Sequence, residues 1–379
     1  MPAKRPSLRQ FLLYFVRLGA IGFGGPIVLS AHMRRDLVDR RAWVSAEDYE
    51  QGLALAQLAP GPLAAQLAIY LGWVHSGALG ATLVGLAFVL PSFFMVLGLG
   101  FLYRLYSGLG WIQSLFYGIG AAVIGIMAQG AYKLLKKTVG KDRFYWAMAA
   151  TSTVFTAATE SEIIWFFLGA GALAVIVKGR FDKRLTSRLL IFPPLIAAGT
   201  IAAVGPPDLW SILGFFAKAG SFVFGSGLAI VPFLHGGVVT EHHWLTDQQF
   251  LDAVAVAMIT PGPVVITVAF IGYLIAGLGG AAAAAVGVFL PCYFFVVIPA
   301  PYFRKFAHVA EVRYFIGGVT SAAVGAIAGA AIVLGRRAII DIPTAVIGAA
   351  TLATLLFAKK IPEPFLILIA GAIGLAIAP

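Results

Sequence analysis

Long apolar runs separated by short polar stretches fill the chain from one end to the other, and few charges fall inside the runs. Runs of about 18 or more apolar residues are what a helix needs to cross a bilayer. Four of the runs are broken in the middle. Gly22-Phe23-Gly24-Gly25-Pro26 interrupts 8–31, and Pro60-Gly61-Pro62 interrupts 46–75. Gly225-Ser226-Gly227 interrupts 209–234, and Pro261-Gly262-Pro263 interrupts 247–276.

These breaks belong to a repeat. Phe15, Arg17, Gly19, Phe23 and Gly24 recur as Phe216, Lys218, Gly220, Phe224 and Gly225, an offset of 201 positions that also carries Trp43 onto Trp244 and the first Pro-Gly-Pro onto the second. After a slip of one residue, Gly72, Gly77, Gly80 and Pro91 recur as Gly272, Gly277, Gly280 and Pro291. Glycines align easily by chance, but a tryptophan and two Pro-Gly-Pro triplets do not. The boundaries expected are 1–205 for the first half and 206–379 for the second. Ser45 with Asp48, and Thr246 with Gln249, stand three apart ahead of apolar helical patterns, as in a capping box. The N-terminus, with Lys4, Arg5 and Arg9 before an apolar stretch, resembles a secretory leader. Its recurrence in the second half argues against cleavage.

Composition narrows the class. Of 379 residues 60% are hydrophobic and 11% charged, against roughly 25% charged in soluble domains, so the lipid bilayer is the expected surroundings. The net charge of +11 would suit nucleic acid, but no soluble module exists to bind it, and basic cytoplasmic loops account for the excess. Cys292 is the single cysteine, which excludes an internal disulfide and argues against a cysteine-ligated metal. His242 and His243 beside Glu241 lack a further ligand at helical spacing, so no metal or cofactor is expected.

Basic residues mark the cytoplasmic side. Arg34, Arg35, Arg40 and Arg41 follow the first broken run, whereas 235–247 in the second half has no Lys or Arg. The next loop reverses the bias, with Arg104 alone in the first half and Arg304, Lys305 and Arg313 in the second. The halves are therefore expected to be inverted, a design common among transporters. Keeping the N-terminus, the Arg34 loop and the basic stretch at 133–143 on one side requires the broken runs to be re-entrant hairpins. Their arms of roughly 10–15 residues reach about 15–22 Å at 1.5 Å per residue. Full spans are then expected at 77–103, 110–135, 143–158, 162–178, 189–205, 277–303, 312–335, 338–358 and 361–378, with Arg336 and Arg337 outside against the charge rule. The fold class expected is an all-α polytopic membrane protein.

The helix breaks are the candidate site. Glycine lets the chain approach a ligand closely and proline favours the first turn of a helix, so Pro26, Pro62 and Pro263 are expected to open second half-helices. Their N-terminal amides carry partial positive charge and unpaired donors, which suit an anion rich in acceptor oxygens. Gln57 and Gln66 flank the first Pro-Gly-Pro, Thr260 and Thr267 the second, and Ser226 lies opposite Gly25. Each of these polar groups could instead satisfy a backbone carbonyl. Arg17 and Lys218 are matched basic residues within apolar runs, placed to attract an anion or to snorkel. Acids inside the apolar runs look nearly absent, so no carboxylate proton relay is evident. Membrane potential could drive a dianion outward.

The runs Phe23-Gly24-Gly25-Pro26, Gln57-Leu-Ala-Pro60-Gly61-Pro62 with Gln66, then Gly72, Gly77, Gly80-Ala81 and Leu90-Pro91 resemble the chromate ion transporter family in its long-chain, two-domain form. The resemblance implies efflux of chromate, and chromate resistance, across a bacterial inner membrane. One departure is that Ile27-Val28-Leu29-Ser30-Ala31 intervenes before His32, whereas the family's histidine stands closer behind Gly-Gly-Pro. Sulfate is a tetrahedral dianion of similar size and remains an alternative substrate. A channel and an intramembrane enzyme acting on a lipid phosphate are the competing classes; the enzyme would need a general base or nucleophile near the breaks. The small-residue run 279–285 allows close packing within or between subunits, as in a homodimer.

Overall fold

The computed structural model describes residues 6–23, 25–140, 142–159, 164–181, 208–222, 227, 230–302, 310–358 and 361–378. Within them the chain is helical throughout. In the first half these are α1 (Leu8–Ile21), α2 (Gly25–Met33), α3 (Ala46–Leu58), α4 (Leu63–Tyr106), α5 (Gly110–Thr138), α6 (Arg143–Thr159) and α7 (Ile164–Phe181). In the second they are α8 (Leu209–Ser221), α9 (Ile230–His235), α10 (Asp247–Ile259), α11 (Thr267–Val297), α12 (Ala310–Ala338), α13 (Ile342–Phe357) and α14 (Glu363–Ile377). Four helical stretches are long and apolar enough to cross a membrane: Leu63–Tyr106, Gly110–Lys136, Val264–Val297 and Arg313–Ala338. The segment expected at 189–205 lies outside the described residues.

The repeat is visible residue by residue. A capping box at Ser7 and Gln10 starts α1 and the Asp208 side chain caps α8. Phe11, Phe15, Leu18 and Gly19 form the buried stripe of α1, and Ile212, Phe216, Ala219 and Gly220 that of α8, the i, i+4, i+7, i+8 face of an amphipathic helix. π-helical turns follow at Arg34–Arg40 and Gly236–Glu241. The Trp43 amide then donates to the Leu37 carbonyl and the Trp244 amide to that of Val238, each at 2.8 Å. Ser45 and Thr246 cap α3 and α10 by accepting from the backbone N–H three residues on.

Two long apolar helices double back within their own length. Ser76 and Gly77 (φ −148° and 60°) interrupt α4, and Ala276 and Gly277 (φ −141° and 60°) interrupt α11. The positive φ at 77 and 277 is one that L residues rarely adopt. The arms are in close contact: a Cβ on Gly80 would stand 2.2 Å from the Gly72 carbonyl oxygen, and one on Gly280 would stand 2.1 Å from that of Gly272. Where hydrocarbon replaces water, burial of apolar surface cannot drive helices together, and small residues permit the van der Waals contact that does. The run 279–285 is spent on such packing inside the subunit, with Gly280, Ala281, Ala284 and Ala285 buried.

Early residues of α4 meet late residues of α11, and the converse. Thr82 and Tyr293 share a hydrogen bond of 2.8 Å between their hydroxyls, while a Cβ on Gly100 would stand 3.1 Å from the Tyr273 ring. Arg337, whose expected position runs against the charge rule, is paired with Asp247 at the start of α10. His235 lies 2.8 Å from the same carboxylate.

Candidate functional site

The helix breaks of both halves come together. The Gly262 amide donates to the Gly22 carbonyl at 2.8 Å, joining the second Pro-Gly-Pro to the break between α1 and α2. A Cβ on Gly262 would stand 1.9 Å from Ser92 Oγ and 3.2 Å from the Gly19 carbonyl oxygen, and one on Gly227 would stand 3.1 Å from Val264 Cβ. Ser92, fully buried on α4, donates to Gly19 O at 3.0 Å. The first Pro-Gly-Pro has the reciprocal neighbour, because a Cβ on Gly61 would stand 3.2 Å from Cys292 Sγ on α11. Each Pro-Gly-Pro thus touches the long helix of the opposite half, at Ser92 or at Cys292.

Local chemistry explains the breaks. Pro60, Pro62, Pro261 and Pro263 lack an N–H and cannot continue a helix, while Gly61 (φ 138°) and Gly262 (φ 98°) hold conformations that favour glycine. Pro62 and Pro263 stand at N-cap positions, one residue before helix, and Pro263 leads first into a 3-10 turn at Val264–Ile266. Pro26 is the second residue of α2. The expectation that all three open half-helices is corrected by one position for Pro62 and Pro263. A proline N-cap offers no side-chain acceptor, and no side-chain cap bond is made at the start of α4.

The expected polar residues divide. Gln66 is fully buried in the first turn of α4, where its Nε2 donates to Pro60 O at 2.6 Å. Its Oε1 is buried and, among the described residues, has no partner. Thr260 and Thr267 are buried, but each donates to its own backbone: to Val256 O at 2.6 Å and to Val264 O at 2.7 Å. The backbone-satisfying alternative therefore holds for both threonines. Gln57 is exposed near the end of α3, whereas Gln66 is buried. Arg17 and Lys218 occupy equivalent exposed positions opposite the buried stripes of α1 and α8. Phe23 is exposed. Gly24, Gly225 and Ser226 lie outside the described residues.

Two residues went unrecognised in the sequence. Ser92 is one, since its partner Gly19 lies 73 residues away and leaves no local signal. Asp252 corrects the expectation that acids are nearly absent from the apolar runs. It is buried midway along α10, accepting from the Tyr103 hydroxyl at 2.7 Å and from Gln248 Nε2 at 2.8 Å. Among the described residues no group of three His, Cys, Asp or Glu side chains could hold a metal ion, and His242 is stacked on Trp244 at 4.4 Å. The breaks bring backbone turns of the two halves together in buried, largely apolar surroundings.

Broken apolar helices meeting inside a bundle of membrane-length helices define a multi-pass membrane transporter, not an enzyme. The chain belongs to the chromate transporter family, whose sequence profile matches residues 9–175 and again 210–375. It is 57% identical over 376 residues to the chromate transport protein of Cupriavidus metallidurans, covering 98% of this chain and 94% of that one. It is 55% identical to the probable chromate transport protein of Synechococcus elongatus, covering 97% and 95%, and 31% identical to the chromate transport protein of Pseudomonas aeruginosa, covering 98% and 93%. No solved structure matches the chain.

Proposed function

We propose that this chain exports chromate across a bacterial inner membrane and so confers chromate resistance, binding the anion where the helix breaks of two inverted halves, 1–205 and 206–379, converge. The observation that carries this reading is the Gly262–Gly22 hydrogen bond, which joins the break after α1 to the second Pro-Gly-Pro just ahead of a helical turn, Val264–Ile266, that no side chain caps. Partial positive charge at helix starts favours an oxyanion without the fixed countercharge that would trap it. The broken segments are re-entrant hairpins, cytoplasmic in the first half and external in the second, with freed backbone groups shielded by protein as membrane depth requires. Support comes from Arg34, Arg35, Arg40 and Arg41 set against the 235–247 stretch, which has no Lys or Arg, together with the equivalent backbone turns that carry both.

In this scheme Gly25, Pro26, the 60–66 turn with Gln66, and the 261–267 turn surround the anion. Thr260 and Thr267 hold that second turn in shape. Arg17 and Lys218, facing outward from equivalent helices, draw anions toward the two entrances. A dianion gains about 2.3 kcal/mol per charge per 100 mV from a potential negative inside, enough to bias net movement outward. Relatives 31–57% identical are named chromate transport proteins, so chromate is the substrate this reading assigns, and the carrier works as a single chain or as a homodimer.

Flux from proteoliposomes loaded with chromate tests this. The expected result is saturable chromate release, faster with an imposed negative interior, weakly inhibited by sulfate, and slowed in Arg17→Gln and Gln66→Leu. Good sulfate movement without chromate movement would overturn the substrate; rapid release that never saturates would make the protein a channel.

A further inference from the structure

Where the end of α4, the start of α5 and the start of α10 meet, the structure holds a cavity of 440 Å³. Residues of both halves line it, including Tyr103, Gln113 and Tyr117 from the first and Gln248, Gln249 and Asp252 from the second. Asp252 forms its inner wall and is 3% exposed. Both its oxygens accept hydrogen bonds, one from Tyr103 across the boundary between halves and one from Gln248 a turn earlier.

Among the described residues no cation pairs with the carboxylate. Among the described residues its hydrogen-bond partners are Tyr103 and Gln248. Of the other titratable groups on the packed elements, Arg104 and Tyr106 beside Tyr103 on α4 and Arg336 on α12 are exposed. Tyr117 of α5 donates to Asp341. Arg337 of α12 and His235 of α9 are engaged with Asp247, and Tyr273 of α11 packs against Gly100. Glu363 of α14 lies near Lys133, at the opposite end of α5 from Gln113. The equivalent position in the first half is Gln51, whose amide cannot titrate. One half therefore carries an ionisable group where its twin carries a neutral one of similar shape.

We propose that Asp252 is the proton-binding site that couples transport to a proton gradient, taking one proton from water in this cavity and releasing it on the other side as the halves rearrange. The inference rests on the transport reading above. Moving an ionised carboxylate from its donors through apolar packing costs several kcal/mol, whereas the neutral acid moves far more cheaply. With Asp252 ionised, the charge-assisted Tyr103 bond holds the second-half hairpin against α4, while Gln248 satisfies the other carboxylate oxygen from within α10. Once a proton sits on one carboxyl oxygen the group is neutral, its bond to Tyr103 loses the assistance of charge, and the hairpin shifts at lower cost. In the orientation proposed, the cavity opens to the outside, where a respiring bacterium keeps the higher proton concentration. Chromate leaves as the proton enters.

The test uses chromate-loaded proteoliposomes with the potential clamped at zero and a lumenal pH dye. In the wild type, an outside pH one unit more acid should drive chromate out and protons in, since one unit is worth a factor of about ten for each coupled proton. Asp252→Asn should lower the ratio of gradient-driven release to chromate–chromate exchange about tenfold, to the level without a gradient. Asp252→Glu should restore the gradient response, and Tyr103→Phe should shift the pH of half-maximal release. Wild-type chromate movement without proton movement would overturn the proposal, as would a normal ratio in Asp252→Asn. Should that variant prove inactive in exchange, an unshifted pH profile in Tyr103→Phe would overturn it instead. If the wild type moves no chromate under either gradient or potential, it is the transport reading that fails.

Discussion

The two halves share a backbone and differ in chemistry. α1 and α8 bury the same stripe, π-helical turns lead to the same tryptophan, and the doubling back at Gly77 and Gly277 agrees within a few degrees. Yet Arg41 lies 4.5 Å over the Trp43 ring where His242 stacks on Trp244. Gln66 spans the first Pro-Gly-Pro where the shorter Thr267 bonds only its own turn. Gln51 stands where the second half has Asp252, and Ser92 where it has Cys292. Backbone shape is fixed by residues that constrain φ, exclude an N–H or cap a helix, and those were kept in duplicate. Charged and hydrogen-bonding side chains were free to diverge, so the differences mark where the halves divide the work.

The sharpest way to break the comparison is at the Pro-Gly-Pro glycines. A methyl group on Gly262 meets the short Ser92 side chain at 1.9 Å, whereas on Gly61 it meets the movable end of Gln66 at 2.5 Å. Gly262→Ala should cost about 3–5 kcal/mol from overpacking plus backbone strain, and Gly61→Ala about 1–3. Thermal unfolding in detergent would show it, with Ser92→Gly recovering part of the loss only in the Gly262→Ala background. Equal losses at the two glycines would mean the halves are not packed differently there.

Next in size is Gln66. Gln66→Leu leaves the half-buried Pro60 carbonyl without this partner, at a cost of about 1 kcal/mol, and should raise the KM for chromate. Gln66→Thr, copying the second half, should do the same because threonine is too short to reach Pro60.

The smallest effect is expected at Asp142, in the connection between α5 and α6, which pairs with Lys178. The Lys178 hydrogen bond holds the Asp142 carboxyl below the usual carboxylate range. A depressed value in the folded state stabilises above the unfolded value, about 4, and the contribution disappears as pH falls through the folded value. Asp142→Asn should therefore lose about 0.5 kcal/mol near neutrality, as partly exposed pairs do, and match the wild type in acid. The corresponding connection of the second half has Asp341 held by the Tyr117 hydroxyl, so Asp341→Asn should show less dependence on salt.

Much of this architecture was legible before the structure. Trp43 with Trp244 and the paired Pro-Gly-Pro triplets exposed the duplication, Ser45 and Thr246 located helix starts, and the end of the second broken run at 75 anticipated the turn at Ser76 and Gly77. These are local signals, written within a few residues. The site was legible only as far as its backbone. Which hydroxyls are consumed by carbonyls, as at Thr260 and Thr267, depends on rotamers that sequence does not display. Asp252 was passed over because Tyr103, the partner that makes a buried carboxylate tolerable, lies 149 residues away. Arg337 looked misplaced for the same reason, its partner Asp247 being 90 residues distant.

The central claim is that equivalent turns of the two halves face opposite sides of the membrane. Arg40→Cys and Glu241→Cys put single thiols on the two π-helical turns, and native Cys292 is fully buried. Intact cells treated with a membrane-impermeant maleimide should label the thiol at 241 and spare that at 40 until the membrane is opened. Labelling of both from outside, or protection of both, would place the two turns on one side and contradict the inverted arrangement.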